Sequence, residues 1–460
     1  MAASISAELL RKYDVPVPRY TSYPALPHWR GISEAQWLDS ISRSAKSKKE
    51  LPLSLYVHIP YCQSLCSFCG CTKVISKDRS KAEPLVDALL KELDLKLKSY
   101  FNSRCMPKLK ELHFGGGSPT WLPPEQLFRL IQGILLRLRT EDPDIAIEVD
   151  PRTLSLEHIH VMSALGVRRV SLGVQDFNEL TLAAIKRKQS HEQVLWACHK
   201  LRENNIKQIN FDLVYGLPYQ SLTSIKQTIE KVVDLRPTRI AYYSYAHIPH
   251  VKKAQRGVER HGLPTVELKR ALFEEARGHL LGHGYHAIGM DHFALSEDDL
   301  YHAHCTRSLH RNFMGYTVQN TQLLIGIGPS SLSDSSYAYY QNTKEVDEWF
   351  DMIKKESITP KGGHLLSEAE LETKKKILDL MCNGSALLNG EQALALGESE
   401  FRKDNLLFLN SKSFLATVTP VGEAFVRNIC ASIDPLFTGA TNALVSTSSG
   451  QNAPVFSKGV

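Results

Sequence analysis

Four of the chain's nine cysteines fall within ten residues, in Tyr61-Cys62-Gln63-Ser64-Leu65-Cys66-Ser67-Phe68-Cys69-Gly70-Cys71. Thiolates so closely spaced converge on a soft metal, either zinc or an iron–sulfur cluster. A structural zinc site usually draws its ligands from two separated Cys/His pairs, so it asks for a second knuckle downstream. None follows. Cys105, Cys198, Cys305, Cys382 and Cys430 are isolated, and each reads as a small buried apolar side chain.

Other residues able to do chemistry stand at the ends of apolar runs. Gly115-Gly116-Gly117-Ser118-Pro119-Thr120 lies between a strand and a helix. Its glycines let the backbone approach a ligand and present bare N–H groups, or they simply make a tight turn. Glu148 and Asp212 suit a general base, a ribose ligand or a helix N-cap, and Asp150 reads as a cap. Arg187, between Lys186 and Lys188, reads as a solvated helix charge. His58, His113, His247 and His292 lack metal-ligand spacing and read as hydrogen-bonded, orienting histidines.

The elements that must position these groups alternate. Strands read at 53–59, 111–114, 145–149, 169–174, 208–213 and 239–245, with amphipathic helices between them. Leu85, Leu89, Leu93 and Leu97 line one such helix, and Ile225, Ile229, Val232 and Val233 another. Ser155 and Gly166 suit the start and stop of a third. Such alternation implies parallel strands joined by right-handed crossovers. The cysteine loop, the glycine turn, Glu148-Val149-Asp150, Gln175-Asp176, Asp212 and Tyr245-Ala246-His247 all fall at strand C-termini, the functional face of a β/α barrel. Six units leave the barrel incomplete and open on one side.

Around the barrel (51–350) the expected parts are an N-terminal arm and short helix (1–50), a mainly helical C-terminal domain (351–438) and a flexible tail (439–460). Residues 13–24 read as an extended arm and 33–44 as the short helix. Beyond the sixth strand, 265–282 reads as a helix, 286–294 as one further strand, and 366–381 and 421–433 as helices.

Hydrophobic residues make up 43% and charged residues 23%, a globular composition. No apolar run is long enough to span a bilayer, and the first twelve residues lack a signal-peptide core, so a cytoplasmic protein is expected. The odd cysteine count with one tight cluster suits a reducing compartment. The net charge of +6 is spread rather than clustered and does not argue for nucleic acid.

The Cys-x3-Cys-x2-Cys spacing resembles that of radical S-adenosylmethionine (SAM) enzymes. Read with Arg19 to Pro24, Tyr56 to Pro60, Cys69-Gly70-Cys71, Gln175-Asp176-Phe177, Asp212 to Pro218, Met290 to Ala294 and Asn312 to Thr317, the chain resembles the oxygen-independent coproporphyrinogen III oxidase family from about residue 13 to 435. The resemblance implies a three-quarter parallel β/α barrel. It implies one [4Fe–4S] cluster on Cys62, Cys66 and Cys69, with Cys71 nearby but not a ligand. The iron left open by three thiolates would bind SAM.

Two SAM molecules are implied. The first would be held by Tyr56, Gly116, Glu148 and Leu332, the second by Phe68, Gly117, Ser118, Gln175, Arg187, Asp212 and Ala246. Arg19 is a candidate ligand for substrate carboxylates. The implied reaction converts two propionates of coproporphyrinogen III to vinyl groups, giving protoporphyrinogen IX for haem synthesis. It needs a reductant for the cluster and an electron acceptor that the sequence does not identify. A monomer is implied, with no nucleic-acid or membrane partner. Two other readings stand beside it: a haem carrier that keeps the cluster, and a two-SAM enzyme with another substrate. Cys71 and the long arm weigh against the carrier.

Overall fold

The computed structural model describes residues 5–46, 50–101, 106–437 and 456. All six expected strands form: β1 (Pro52–Ile59), β2 (Lys108–Gly116), β3 (Arg139–Val149), β4 (Val167–Gln175), β5 (Gln208–Tyr215) and β6 (Arg239–Ser244). They are followed by β7 (His286–Ile288), β8 (His292–Ala294), β9 (Leu323–Ile327), β10 (Leu332–Asp334), β11 (Ala338–Gln341) and β12 (Gly362–Leu365). Together they make one twelve-stranded sheet, in the order β12-β11-β10-β9-β1-β2-β3-β4-β5-β6-β8-β7. From β9 through β1 to β6 every pairing is parallel, and the flanking pairs are antiparallel. The parallel run is the partial barrel.

Burial explains the crossovers. Leu53, Leu55, Val57 and Ile59 of β1 are fully buried, and the Leu85-Leu89-Leu93-Leu97 stripe of helix Ala82–Tyr100 joins the same core. Helix Leu156–Ala164 starts where Ser155 accepts the His158 N–H, and Gly166 behind it takes φ +75°. Helix Leu222–Leu235 buries Ile225, Ile229 and Val232.

Several expectations are corrected. Residues 286–294 do not form one strand: Gly289 at φ +61° turns the chain, and β7 and β8 pair as a hairpin. Strand β9 extends the parallel run beyond β1, on the far side from β2. A boundary at 350/351 would cut helix Val346–Lys354, which buries Val346, Trp349 and Ile353 in the main core. Beside its helices the C-terminal part carries a three-stranded antiparallel sheet of Ser385–Leu387, Leu415–Val418 and Leu407–Asn410. Cys198, Cys382 and Cys430 are buried as read, but Cys305 is exposed at the end of helix Asp299–Cys305. Cys105 lies outside the described residues, as does the expected tail apart from Phe456.

The N-terminal arm packs against the body of the protein. Helix Ala7–Tyr13 and the following coil bury Leu10, Tyr13, Val17, Tyr20 and Tyr23 in a second core with Ile377, Leu380, Phe425 and Ile429. That packing carries Arg19 to the β8 end of the sheet, where it meets Asp291.

Candidate active site

A cavity of about 450 Å³ lies at the C-terminal ends of the parallel strands. The loop after β1 lines it with Cys62, Cys66, Phe68, Cys69 and Cys71, and the turn after β2 with Gly116, Gly117 and Ser118. Glu148 and Asp150 enter from β3, Gln175 from β4, Asp212 from β5 and Ala246 from beyond β6. Twelve of the sequence-selected positions for cluster and SAM thus share one space, with Cys71 beside them.

The glycine turn is required by close approach. A Cβ on Gly117 would stand 2.6 Å from the Tyr61 carbonyl, and one on Gly115 would stand 2.7 Å from a Glu148 oxygen. Gly116 takes φ +106° and donates its N–H to Glu148 Oε2 at 3.3 Å. The other Glu148 oxygen lies 3.2 Å from His113 Nε2. Glu148 is therefore aimed into the cavity rather than capping a helix.

The cysteine loop is pinned at both ends. Tyr61–Cys62 pairs in parallel with Val74–Ile75, the Ser67 N–H reaches the Ile185 carbonyl at 3.0 Å, and Gln255 Nε2 donates to the Phe68 carbonyl at 3.0 Å. Burial pushes the Cys62 thiol up to about 12. Cys71 hydrogen-bonds Cys69 and holds its thiol low, with Lys73 adding to the effect, while Cys71 itself is driven high. Among the described residues, no three His, Cys, Asp or Glu side chains converge closely enough to hold a single ion. A four-iron cubane, with its ligand sulfurs at separate corners, asks for a wider set. Three free cysteines on one pinned loop at a roomy cavity fit such a cluster.

Asp150 is not an N-cap. It binds Arg152 through both oxygens, at 2.6 and 2.9 Å, and accepts from Arg187 Nη2 at 3.3 Å. Burial pushes its carboxyl upward, but the Arg187 charge and the Arg152 hydrogen bonds leave it below the ordinary range. Arg187, expected on a solvated surface, is 5% exposed and also donates to the Gly173 carbonyl. Both guanidiniums reach Cys66 Sγ at 3.5 Å.

Asp212 accepts from Ser171 at 2.7 Å and Asn210 at 2.9 Å. Burial, with nearby Glu148, nonetheless lifts it to about 7. Gln175 sits at a bulge in the β4–β5 register with φ +71°, a backbone state rare for glutamine.

Other expected residues stand outside the cavity lining. Tyr56 lies behind it, its hydroxyl 3.2 Å from His58 Nδ1 and its ring stacked on His113. Leu332 opens β10 beside Gly326. Arg19 lines a separate small cavity and pairs with Asp291 at 2.7 Å. Asp176 turns inward to Thr228 and Gln220, and His247 pairs with Glu259. Sequence reasoning missed Arg152 and Tyr243 as cavity residues. Arg152 had a signal, two residues past a strand-end aspartate; Tyr243 had none beyond its strand.

Residues 56–232 match the family model of the radical SAM superfamily. An oxygen-independent coproporphyrinogen III oxidase of Salmonella typhimurium is 35% identical over 442 residues, covering 93% of this chain and 94% of its own. That of Escherichia coli K12 is 35% identical over the same shares. The chain belongs to the oxygen-independent coproporphyrinogen III oxidase family. The solved structure of coproporphyrinogen III oxidase (HemN) from Escherichia coli, described as a radical SAM enzyme, superposes with TM-score 0.86 at 32% identity, covering 95% of this chain and all of that one. As a member of this family the chain is a radical SAM oxidoreductase, for which a [4Fe–4S] cluster and SAM are the cofactors. No helix among the described residues is long and apolar enough to cross a membrane.

Proposed function

We propose that this enzyme carries out the oxygen-independent oxidative decarboxylation of two propionate side chains of coproporphyrinogen III, yielding protoporphyrinogen IX for haem synthesis. The observation that carries the reading is the single cavity gathering the cysteine loop, the glycine turn, Glu148, Gln175, Arg187, Asp212 and Ala246, in a chain alike along almost its whole length to oxidases of that name.

Cys62, Cys66 and Cys69 would hold the cluster, Gly116 and Glu148 one SAM, with Tyr56 and Leu332 behind, and Phe68, Gly117, Ser118, Gln175, Arg187, Asp212 and Ala246 a second. When bound, cluster and SAM supply a 5′-deoxyadenosyl radical for hydrogen abstraction. The chain's part is to position and to exclude water. The Gly115–Gly117 backbone allows close approach. Glu148 and Asp212 offer carboxylates to the amino, hydroxyl and sulfonium groups of SAM. Each propionate loses one hydrogen atom, one electron and CO₂ to become vinyl, so two SAM molecules serve one porphyrinogen and an electron acceptor is obligatory. A reductant, a monomeric state and a cytoplasmic location belong to the same reading.

The test is anaerobic. The protein is reconstituted with iron and sulfide, then given SAM, reductant, coproporphyrinogen III and cell extract as acceptor. Appearance of both 5′-deoxyadenosine and protoporphyrin is expected. Tight haem binding without vinyl product would favour the haem carrier, and deoxyadenosine alone a different substrate.

A further inference from the structure

At the β8 end of the sheet the cavity wall carries a histidine with a built support. His292 Nδ1 lies 2.8 Å from Asp291 Oδ1, and Arg19 Nη2 donates to Asp291 Oδ2 at 2.7 Å. Asp291 thus engages one ring nitrogen and leaves Nε2 for whatever occupies the cavity. The ring is set edge-on between Tyr243 and Tyr316, at 5.9 and 5.4 Å between centroids, and all three side chains line the cavity. Nε2 stands 3.9 Å from where a Cβ of Gly315 would be, so the hairpin turn leaves it uncrowded.

The charge behind this wall is positive. The Arg311 guanidinium lies 4.6 Å over the Tyr316 ring, and Arg19 lies 5.9 Å from that of Tyr243. Arg311 is 4% exposed; among the described residues its Nε is buried without a hydrogen-bond partner, and its Nη2 reaches the Arg19 carbonyl at 3.4 Å. The carboxylates of the cavity come from other strands: Glu111 on β2, tied to Ser54 and Thr317, Glu148 and Asp150 at the end of β3 and Asp212 on β5. The arginines beside them are already paired, Arg152 and Arg187 with Asp150, Arg169 with Asp144 and Arg239 with Asp298. At the β8 end, two guanidiniums and an imidazole share one carboxylate.

We infer that His292 receives a propionate carboxylate of the porphyrinogen at Nε2. Arg311 and Arg19 supply positive potential through the aromatic wall, and Asp291 is the positioning residue. This assignment rests on the coproporphyrinogen reading. It gives the arm a role at the site, because Arg19 anchors the aspartate that aims the ring.

The test compares binding of coproporphyrin III and its tetramethyl ester to the reconstituted full-length enzyme, followed by fluorescence quenching. Wild type is expected to prefer the tetracarboxylate by about tenfold or more, the worth of one charge-assisted hydrogen bond. H292Q and R311Q should each narrow that preference several-fold, with iron content and SAM binding unchanged. A folded, iron-loaded H292Q that keeps the wild-type preference overturns the assignment; if that variant does not fold, R311Q decides by the same criterion. A wild type that makes vinyl product while H292Q keeps the preference sinks this assignment alone. A wild type that makes no vinyl product removes the functional reading, and the assignment with it.

Discussion

Arg152 Nη2 and Cys66 Sγ stand 3.5 Å apart, with the guanidinium gripped from behind by both oxygens of Asp150. A donor fixed on Cys66, a proposed cluster ligand, would stabilise the added electron, because hydrogen bonds and positive charge at the sulfurs set the potential. R152Q should therefore move the cluster's midpoint potential to more negative values, on the order of 60 mV if the electron's affinity falls tenfold. An EPR-monitored redox titration at matched iron and sulfide content checks it. An unchanged potential would reduce Arg152 to a brace for Asp150.

Asp212 should couple SAM binding to pH. Burial, with Glu148 nearby, raises its carboxyl to about 7, so at neutral pH it is partly protonated. A cationic ligand favours the ionised form, and binding then releases a proton. SAM affinity should rise between pH 6 and 8 in the reconstituted enzyme and lose that slope in D212N. Stability runs the other way. Above its unfolded pKa near 4, ionisation is easier in the unfolded chain, so Asp212 costs stability as pH rises toward 7, up to about 4 kcal/mol at full ionisation. D212N should thus gain resistance to urea at pH 8 and little at pH 4. Equal gains at both would contradict the shift.

The six barrel strands and most of the cavity were legible because their signals are local. An apolar run, a glycine turn and a polar strand end sit within a dozen residues of each other, and barrel geometry sends every such end to one face. What was not legible depends on distant pairing. Strand β9, Leu323 to Ile327, is an unremarkable apolar run until it lies against β1, some 270 positions earlier. Arg19 read as a candidate ligand for substrate carboxylates, since nothing near it in sequence foretells its pairing with Asp291. The 286–294 segment read as one strand because its apolar residues continue through Gly289, whose positive φ breaks it.

Glu92 and Lys96 show the same dependence and carry a prediction. They lie off the leucine stripe of helix Ala82–Tyr100, where amphipathic reading leaves them in water, yet their side chains are 1% and 0% exposed and 2.8 Å apart. Glu92 accepts from the Gly328 N–H at 2.7 Å, Trp349 Nε1 at 2.9 Å and Asn342 Nδ2 at 2.7 Å; Lys96 donates to the Gly326 carbonyl at 2.7 Å. The pair therefore pins the turn between β9 and β10 that leads to Leu332. E92Q leaves a buried ammonium without its counter-charge and should cost about 3–5 kcal/mol in urea unfolding. The double variant E92L/K96M, which removes both charges, should recover most of that loss. If E92Q alone is neutral, the pair is not what holds the turn.

The last prediction separates two neighbouring glycines. A methyl on Gly117 would meet the Tyr61 carbonyl at 2.6 Å and that of Ile59 at 2.9 Å, both main-chain atoms of the segment feeding the cysteine loop. Neither can move without disturbing the hydrogen bonds from Gly117 N to Ile59 O at 2.7 Å and from Ser118 N to Tyr61 O at 3.0 Å. On Gly115 the three atoms nearest the methyl all belong to the Glu148 side chain, which can rotate away at the expense of its place in the cavity. G117A should thus lose about 1–3 kcal/mol of stability and load less iron, because the strain falls on backbone next to Cys62. G115A should load iron normally and lose SAM affinity instead, because it displaces a carboxylate and leaves the loop alone. Thermal unfolding, iron content and SAM titration of the two proteins distinguish the outcomes; normal iron loading in G117A would mean that the cysteine loop tolerates a shift of Tyr61.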